Sequence, residues 1–430
     1  MKISLLSCLA VSCLALPVAV SGAEVESAQA PPQSIDKGAY VPTDVFGTRG
    51  GYVHPFMSVT LENSDNINNT ATNEFSDWKA IYAPGIWLAA PAQREIFLNL
   101  NTANTSPGGH YQQLNKQEGF SRYQAYALYV ADIDRYDDHD ERDTIRQSAE
   151  GFFQYNFRGG LSIDIYDKFK DSEDPMATGD STIIDEYKSN LVGLILDYDA
   201  TDKVRLRFDY NNFHLRYDDL LSQGQDRDDN SYALYTYYNY SPKTSIFAEY
   251  EFVDVKYDTN TVLDTQQHYG YLGMEWLPTG KTTLAGKVGY GQRQGDIAAV
   301  DDSGPVLELS VNHDFTVKTS INILAMHKFN ETTVASALYS QDSSINVLFS
   351  QIITDKIGLA ILADYTKMDF MGPAAQDRTD YFYTLAPTLR YSMQEWLGAE
   401  IGYEYIQRES NLDVFDYTTN SAFLRLSAGF

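Results

Sequence analysis

Apolar residues recur at every second position in short segments along most of the chain. The pattern is clear near the end, where the apolar positions are Ala422, Leu424, Leu426, Ala428 and Phe430. Residues 307–311 repeat it with polar residues between the apolar ones, and the alternate positions of 357–365 form another apolar face. A period of two predicts β-strands with one apolar and one polar face. Most of the chain is therefore expected to form sheet.

The first 51 residues differ from the rest in composition. Residues 1–23 begin with a lysine, continue as an apolar run and end in small residues, which predicts a secretory signal peptide. Both cysteines of the chain, Cys8 and Cys13, lie in this segment, so the mature protein is expected to have no disulfide and no thiolate metal site. Residues 24–51 are polar and rich in Pro and Gly and predict a flexible leader. Residues 52–430 remain for one folded domain.

The connections between the alternating segments are of two kinds. Short turns such as 199–202 alternate with long polar loops such as 218–230, and no linker interrupts the series. No run of eighteen apolar residues follows the predicted signal peptide, so a transmembrane helix is not expected. Short turns on one side and long loops on the other are typical of transmembrane β-barrels. We therefore predict an all-β, antiparallel up-and-down barrel in the outer membrane of a Gram-negative bacterium. Its last residue, Phe430, would be read by the barrel-assembly machinery.

The number of strands is ambiguous at one place. Nineteen segments have strand character, but chain ends on the same side of the membrane require an even number. The conflict involves residues 96–103 and 123–133, which flank the unpatterned stretch 104–120. We expect about eighteen strands, with sixteen as the alternative. One of the two segments would then belong to an insertion inside the pore or above its rim.

The polar faces predict a lumen that carries both acids and bases, whereas the formal net charge of −27 is attributed to acidic loops such as 134–143, 171–186 and 226–229. Basic and acidic patches opposed across the pore would orient polar solutes. Alternatively, the charges pair with one another structurally. Tyrosine rings on the same faces could stack on sugars. The residues predicted to line the pore are Lys203, Arg205, Arg207, Asp209, Tyr235, Tyr237, Glu249, Glu251, Tyr269, Tyr271, Glu308, Arg390, Glu400, Glu404 and Arg425.

The sequence offers little support for catalysis or metal binding. No two of the seven histidines have the spacing of metal ligands, and Asp137-Asp138-His139-Asp140 lies in a strongly acidic run that predicts a solvated loop. We predict no metal, no cofactor and no enzymatic activity. The acidity also argues against nucleic-acid binding. Acidic loops could hold divalent cations that bridge to lipopolysaccharide, or they could simply be solvated.

Several short motifs resemble one known family. They are Leu-Glu-Asn-Ser-Asp-Asn at 61–66, Ser-Asp-Trp at 76–78, Ala-Pro-Gly-Ile-Trp-Leu at 83–88, Tyr-Asp-Asp-His-Asp at 136–140 and the closing strand pair at 403–430. In order and spacing the chain resembles the putative β-barrel porin 2 family of outer-membrane proteins. Members are often associated with exopolysaccharide or capsule loci. The resemblance therefore implies passage or export of polysaccharide, with periplasmic export components as partners, and it brings no catalytic residues. The competing hypothesis is a non-conducting surface barrel, an adhesin or receptor acting through acidic loops.

Overall fold

Alternating sequence segments form the wall of a single barrel. The computed structural model describes residues 52–90, 122–174, 185–218, 222–295, 301–332, 334, 336–373, 375, 377–394 and 396–429. The predicted signal peptide, the predicted leader and Phe430 lie outside these residues. Within them, eighteen strands form one sheet. The strands are β1 (Val53–Ser64), β2 (Asp77–Ala90), β3 (Tyr123–Tyr136), β4 (Thr144–Asn156), β5 (Leu161–Asp174), β6 (Asp185–Thr201), β7 (Val204–Tyr217), β8 (Arg227–Ser241), β9 (Thr244–Tyr257), β10 (Thr265–Thr279), β11 (Thr282–Gly295), β12 (Asp302–Thr316), β13 (Thr319–Asn330), β14 (Tyr339–Thr354), β15 (Ile357–Met371), β16 (Thr379–Gln394), β17 (Leu397–Ser410) and β18 (Tyr417–Gly429).

Each strand pairs antiparallel with the next one in sequence, and β1 pairs with β18 to close the ring. In the closing pair, Phe56 lies opposite Gly429 and Ser64 lies opposite Ser421. Closure leaves no sheet edge exposed, which is the condition for a sheet to span a membrane. The predicted fold class, an antiparallel up-and-down barrel of eighteen strands, is confirmed.

The ambiguous early region resolves in favour of one segment. Tyr123–Tyr136 is strand β3, and it pairs with both β2 and β4. The competing segment, 96–103, lies outside the described residues, as does 104–120. Strands β2 and β3 meet this stretch at Ala90 and Tyr123, on the side of the barrel that carries the short turns. Eighteen strands are therefore reached without counting residues 96–103.

The two ends of the barrel differ as predicted. At the short-turn rim, two residues join β6 to β7 and two join β8 to β9. At the long-loop rim the strands extend further than the sequence indicated. The loop predicted at 218–230 ends at Asp226, because β8 begins at Arg227. Asp229, counted above as a loop acid, is thus a wall residue and is fully buried.

Inward and outward faces alternate as the period of two requires. On β10, Leu272 is 69% exposed and faces outward, whereas the neighbouring Tyr271 is 4% exposed and faces inward. On β18, Leu424 and Leu426 are exposed and Arg425 is buried. The outward apolar residues form the surface that meets lipid, and the inward residues form the lumen wall.

An outward tyrosine marks one limit of the apolar surface on β7. On β7 the outward positions are apolar up to Tyr210 and are then Asn212, His214 and Arg216. The Tyr210 hydroxyl donates to Asn230 at 3.0 Å, as expected of a ring whose polar tip is in water. Aromatic girdles of this kind lie at the two membrane interfaces of barrels. The strands therefore continue beyond the membrane towards the long-loop rim.

In the described ranges, no helix has the length and apolarity needed to cross a membrane. The helices described there are short 3-10 turns of three residues in four of the long loops. They are Asp140–Arg142, Gln223–Gln225, Thr261–Leu263 and Asp413–Phe415.

Candidate functional site

The first eleven predicted pore residues gather on one side of the barrel. Apart from Lys203, they lie on the inward faces of β7 to β12, where Glu275 and Lys287 join them. Neighbouring strands place Arg205 opposite Tyr237 and Glu249 opposite both Tyr235 and Tyr271. We name this surface the tyrosine wall. It consists of Arg205, Arg207, Asp209, Tyr235, Tyr237, Glu249, Glu251, Tyr269, Tyr271, Glu275, Lys287 and Glu308.

The tyrosines of the wall form two stacked pairs. The rings of Tyr235 and Tyr237 lie 6.0 Å apart with an interplanar angle of 19°. Those of Tyr269 and Tyr271 lie 6.1 Å apart at 15°. On β8, Tyr237 is four positions and Tyr235 six positions from the short-turn end of the strand. On β10, Tyr271 is eight positions and Tyr269 ten positions from the short-turn end. They therefore rise from the short-turn rim like the rungs of a ladder.

Glycines on the next strand make room for the second tyrosine pair. A Cβ placed on Gly289 would lie 2.8 Å from the ring of Tyr271, and one on Gly291 would lie 2.7 Å from the ring of Tyr269. Both distances are below any normal carbon contact. The rings therefore lean over the backbone of β11 and lie against the wall.

Cations of the wall contact both the rings and the acids. Arg205 lies 4.0 Å from the centre of the Tyr237 ring, within the range of a cation–π interaction. The Lys287 Nζ lies 4.2 Å from the Tyr271 ring centre and 3.0 Å from Glu249. Each cation thus has an aromatic face and a carboxylate beside it.

Acids and bases pair along the wall. Arg207 donates two hydrogen bonds to Asp209, at 2.7 and 2.8 Å, and Lys287 is 3.3 Å from Glu308 as well. Of the two interpretations made from the sequence, the contacts favour structural pairing over basic and acidic patches on opposed sides. The cations of the wall are therefore neutralised locally by its acids, which outnumber them.

Lys203 differs from the prediction. It lies in the two-residue turn between β6 and β7, and its side chain is exposed. The period of two stops where the chain reverses, so the alternation that places Arg205 inward does not extend to Lys203. This lysine is at the short-turn rim, next to the lower end of the tyrosine wall.

The remaining predicted residues form a second, separate group on β16 to β18. Arg390 lies opposite Glu400, and Glu400 lies opposite Arg425. The Arg425 Nη1 is 3.5 Å from Glu400, and its Nε donates to Thr60 on β1 at 3.3 Å. Glu404, four residues after Glu400 on the same face of β17, is also buried. This group lies beside the closing seam of the barrel, four strands from β12.

Part of the acidity of the loops has a structural role. In five long loops, the aspartate that directly precedes a strand accepts a hydrogen bond from the backbone N–H of the last residue of the preceding strand. The distances are 2.6 to 2.9 Å. The accepting residues are Asp143, Asp226, Asp264, Asp301 and Asp416. These carboxylates close the loops. Across the described residues, no group of three or more His, Cys, Asp or Glu side chains is arranged to hold a metal ion.

Sequence reasoning missed a cluster at the long-loop end of the lumen. Arg227 falls within the loop predicted at 218–230, and Glu331 begins a polar stretch predicted as another long loop, 331–342, yet both are completely buried inside the barrel. Arg293 on β11 and Tyr257 on β9 bind Glu331 from the wall. No periodicity marks a loop residue that folds inward, so the inward position of Glu331 has no sequence signal.

A closed, lipid-facing barrel with a polar and aromatic lumen defines a porin-like outer-membrane protein. Comparison with family models makes this specific: residues 112–430 match the family described as putative beta-barrel porin 2, and the chain belongs to that family. Porin-like barrels of this kind are generally not enzymes. No curated protein matches the chain.

Solved structures with a similar fold include two bacterial Occ proteins. OccAB3 of Acinetobacter baumannii is 11% identical, with a TM-score of 0.44 over 88% of this chain and 98% of that one. OccK7 (OpdD) of Pseudomonas aeruginosa is 9% identical, with a TM-score of 0.45 over 88% and 99%. A bacterial polysaccharide outer membrane secretin is 9% identical, with a TM-score of 0.35 over 87% and 98%. At these identities no activity of these proteins carries over to this chain.

Proposed function

We propose that the barrel forms a water-filled pore in the outer membrane of a Gram-negative bacterium and that polysaccharide passes through it. In this proposal the short-turn rim faces the periplasm, where export components deliver the polymer. The long-loop rim faces outward among lipopolysaccharide. The observation that carries the proposal is the ladder of stacked tyrosines on the tyrosine wall.

The spacing of the ladder suits a chain of sugars. Two residues along a strand tilted by the usual 35–45° correspond to about 5 Å of height. Successive tyrosines, from Tyr237 to Tyr269, rise by that step, which is comparable to the length of one sugar unit in a polymer. The interval therefore matches the repeat of a sugar polymer. Because each ring is at most 4% exposed, a sugar reaches a ring face only when neighbouring side chains of the wall move aside.

Neutralised charges support passage over tight binding. A pore must bind its solute well enough to admit it and weakly enough to release it. Because Lys287 is shared between Glu249 and Glu308, and Arg207 is bound to Asp209, these two cations are held by acids of the wall itself rather than by a polymer. Repeated weak contacts are what this arrangement supplies.

The experiment is single-channel recording from the purified barrel in planar bilayers. We expect steady ionic conductance and brief blockades when a soluble bacterial exopolysaccharide is added on the short-turn side. The double variant Tyr235→Ala/Tyr271→Ala should shorten these blockades at least several-fold. Tyr238→Ala is the matched control, because Tyr238 lies on the same strand as Tyr235 but faces outward.

Two results would contradict the proposal. A wild-type barrel that conducts no ions would eliminate the pore and leave the surface receptor as the better hypothesis. Blockades of equal duration in the double variant and in the Tyr238→Ala control would show that the stacked tyrosines do not contact the passing polymer. The receptor alternative has less structural support, since five of the loop aspartates serve to close their own loops.

A further inference from the structure

The loop between β13 and β14 turns into the barrel at the long-loop rim. Its first residue, Glu331, is completely buried and contacts three other strands. Tyr257 on β9 donates its hydroxyl to Glu331 at 2.8 Å, and the side-chain amide of Gln267 on β10 donates at 2.8 Å. Arg293 on β11 donates from both terminal nitrogens, one of them at 3.1 Å. Since these three residues point into the lumen, the Glu331 carboxylate lies inside the mouth.

The wall around Glu331 is arranged to hold a carboxylate. Arg293 also stacks on Tyr339, with 4.8 Å between its guanidinium carbon and the ring centre. Tyr339 in turn donates to Asp302 at 2.9 Å. Nearby, Arg227 is paired with Asp229 at 3.2 Å, and both are completely buried. The carboxylate thus meets a fixed guanidinium group, a hydroxyl and an amide.

The other end of the loop is attached to a second loop. The backbone N–H of Leu338 donates to the carbonyl of Met371 at 2.8 Å, at the start of the loop between β15 and β16. An apolar cluster joins the two loops and includes Val334, Ala337 and Phe370. Gly372 adopts a φ of +131°, which lets the backbone pass within contact distance of Leu338. The β13–β14 loop is therefore held by polar contacts at its first residue and by apolar contacts towards its other end.

We propose that Glu331 pins the β13–β14 loop inside the mouth and that this loop, rather than the tyrosine wall, sets the size limit of the pore. The inference rests on the proposed pore function and adds to it a residue that determines specificity by size. Glu331 acts as a positioning residue, through the loop that it holds. Removing its charge leaves Arg293 buried without its partner, which disfavours the inward position of the loop.

The position of the loop can be tested without any conductance. The substitution Ala337→Cys places a thiol in the apolar cluster, where Ala337 is 4% exposed, in a chain whose natural cysteines lie in the predicted signal peptide. A membrane-impermeant maleimide added to intact cells should react with this thiol slowly. In the background of Glu331→Gln we expect labelling to be at least tenfold faster. Glu409→Gln is the matched control, because Glu409 is an exposed acid near the same rim, at the end of β17, and accepts a hydrogen bond from Gln407 on its own strand.

A double variant distinguishes a specific contact between Glu331 and Arg293 from a general destabilisation of the loop. Arg293→Met should accelerate labelling about as much as Glu331→Gln does. If the two residues act through one contact, the combined variant should label no faster than either single variant. All variants should retain the heat-modifiable migration of a folded barrel. The proposal that Glu331 holds the loop through Arg293 would be refuted by either of two results. One is a labelling rate in the combined variant that equals the product of the single effects, and the other is equal labelling rates in Glu331→Gln and the control.

The size limit of the pore is measured by adding neutral polymers during conductance recording. Neutral polyethylene glycols of increasing length reduce conductance only while they are small enough to enter. We expect Glu331→Gln to admit longer polymers than the wild type does, with at least a 1.5-fold increase in conductance. An unchanged cut-off despite fast labelling would overturn the assignment of the size limit to this loop. A wild-type barrel that does not conduct would instead contradict the proposed pore, while the labelling still decides the pin.

Discussion

Placing an arginine at Leu272 should destabilise the barrel in a way that reports the depth of this residue in the membrane. Leu272 faces outward, is 69% exposed and lies between Ala248 and Val288 on the neighbouring strands. Trp276 lies four positions away towards the short-turn rim, and His268 lies four positions away towards the long-loop rim. These two residues lie at opposite limits of the apolar surface, so Leu272 is near the middle of the bilayer.

An arginine at the middle of a barrel's lipid face costs about 2–4 kcal/mol, and the cost falls to about 0–1 kcal/mol near the interfaces. Leu272→Arg should therefore raise the equilibrium constant for unfolding by about 30-fold or more, at about 1.4 kcal/mol for each factor of ten. Val262→Arg is the control: Val262 is 47% exposed but lies in the loop between β9 and β10. It should cost little, because its side chain is already in water.

The assay is reversible denaturant unfolding in phospholipid vesicles, followed by tryptophan fluorescence, with folding checked by heat-modifiable migration on gels. The free energies of unfolding of the two variants should differ by about 2 kcal/mol or more. Equal free energies would refute the assignment of β10's outward face to lipid. A larger loss in Val262→Arg would reverse the inferred membrane position.

Three further outcomes are expected. Gly289→Ala should lower the free energy of unfolding by about 1–3 kcal/mol, since the new Cβ would clash with the backbone carbonyl oxygen of Gly270 and lie 2.8 Å from the ring of Tyr271; an unchanged denaturation midpoint would contradict the close packing. Deletion of Phe430 should reduce the amount of heat-modifiable barrel in outer-membrane fractions, and an undiminished yield would count against its role in assembly. Burial alone would raise the pKa of Glu331, but Arg293 holds this pKa below its ordinary value. The stability that Glu331 contributes is therefore present above its unfolded-state pKa and lost as the pH falls through the lower folded-state pKa; thermal melts below about pH 4.5 should show this loss in the wild type and lack it in Glu331→Gln.

Much of the fold could be predicted because a barrel wall repeats one simple rule. One face of every strand contacts lipid and the other faces the lumen, so the alternation that marks a strand also gives its orientation. For this reason Tyr271 and Leu272, or Leu424 and Arg425, could be assigned to opposite faces from the sequence. The same rule fails where the chain turns, which is why Lys203 was placed on a wall that begins two residues later.

Contacts between strands are harder to predict than faces. Alternation fixes which way Lys287 points but leaves open its height relative to Glu249, because the stagger between strands is set by turns and hydrogen bonding. The pairing of acids with bases along the tyrosine wall is therefore a finding of the structure. Glu331 is harder still. It follows the last residue of β13, and its position depends on Arg293, which is 38 residues away in sequence.

The antiparallel pairing of β1 with β18 has a consequence for how such proteins diversify. A ring in which every neighbour runs in the opposite direction can close only with an even number of strands. The calibre of the barrel therefore changes during evolution in whole hairpins, by duplication or loss of two strands at a time. Finer adjustment between these steps has to come from elements that do not belong to the ring, such as a bulky side chain or a loop that turns inward.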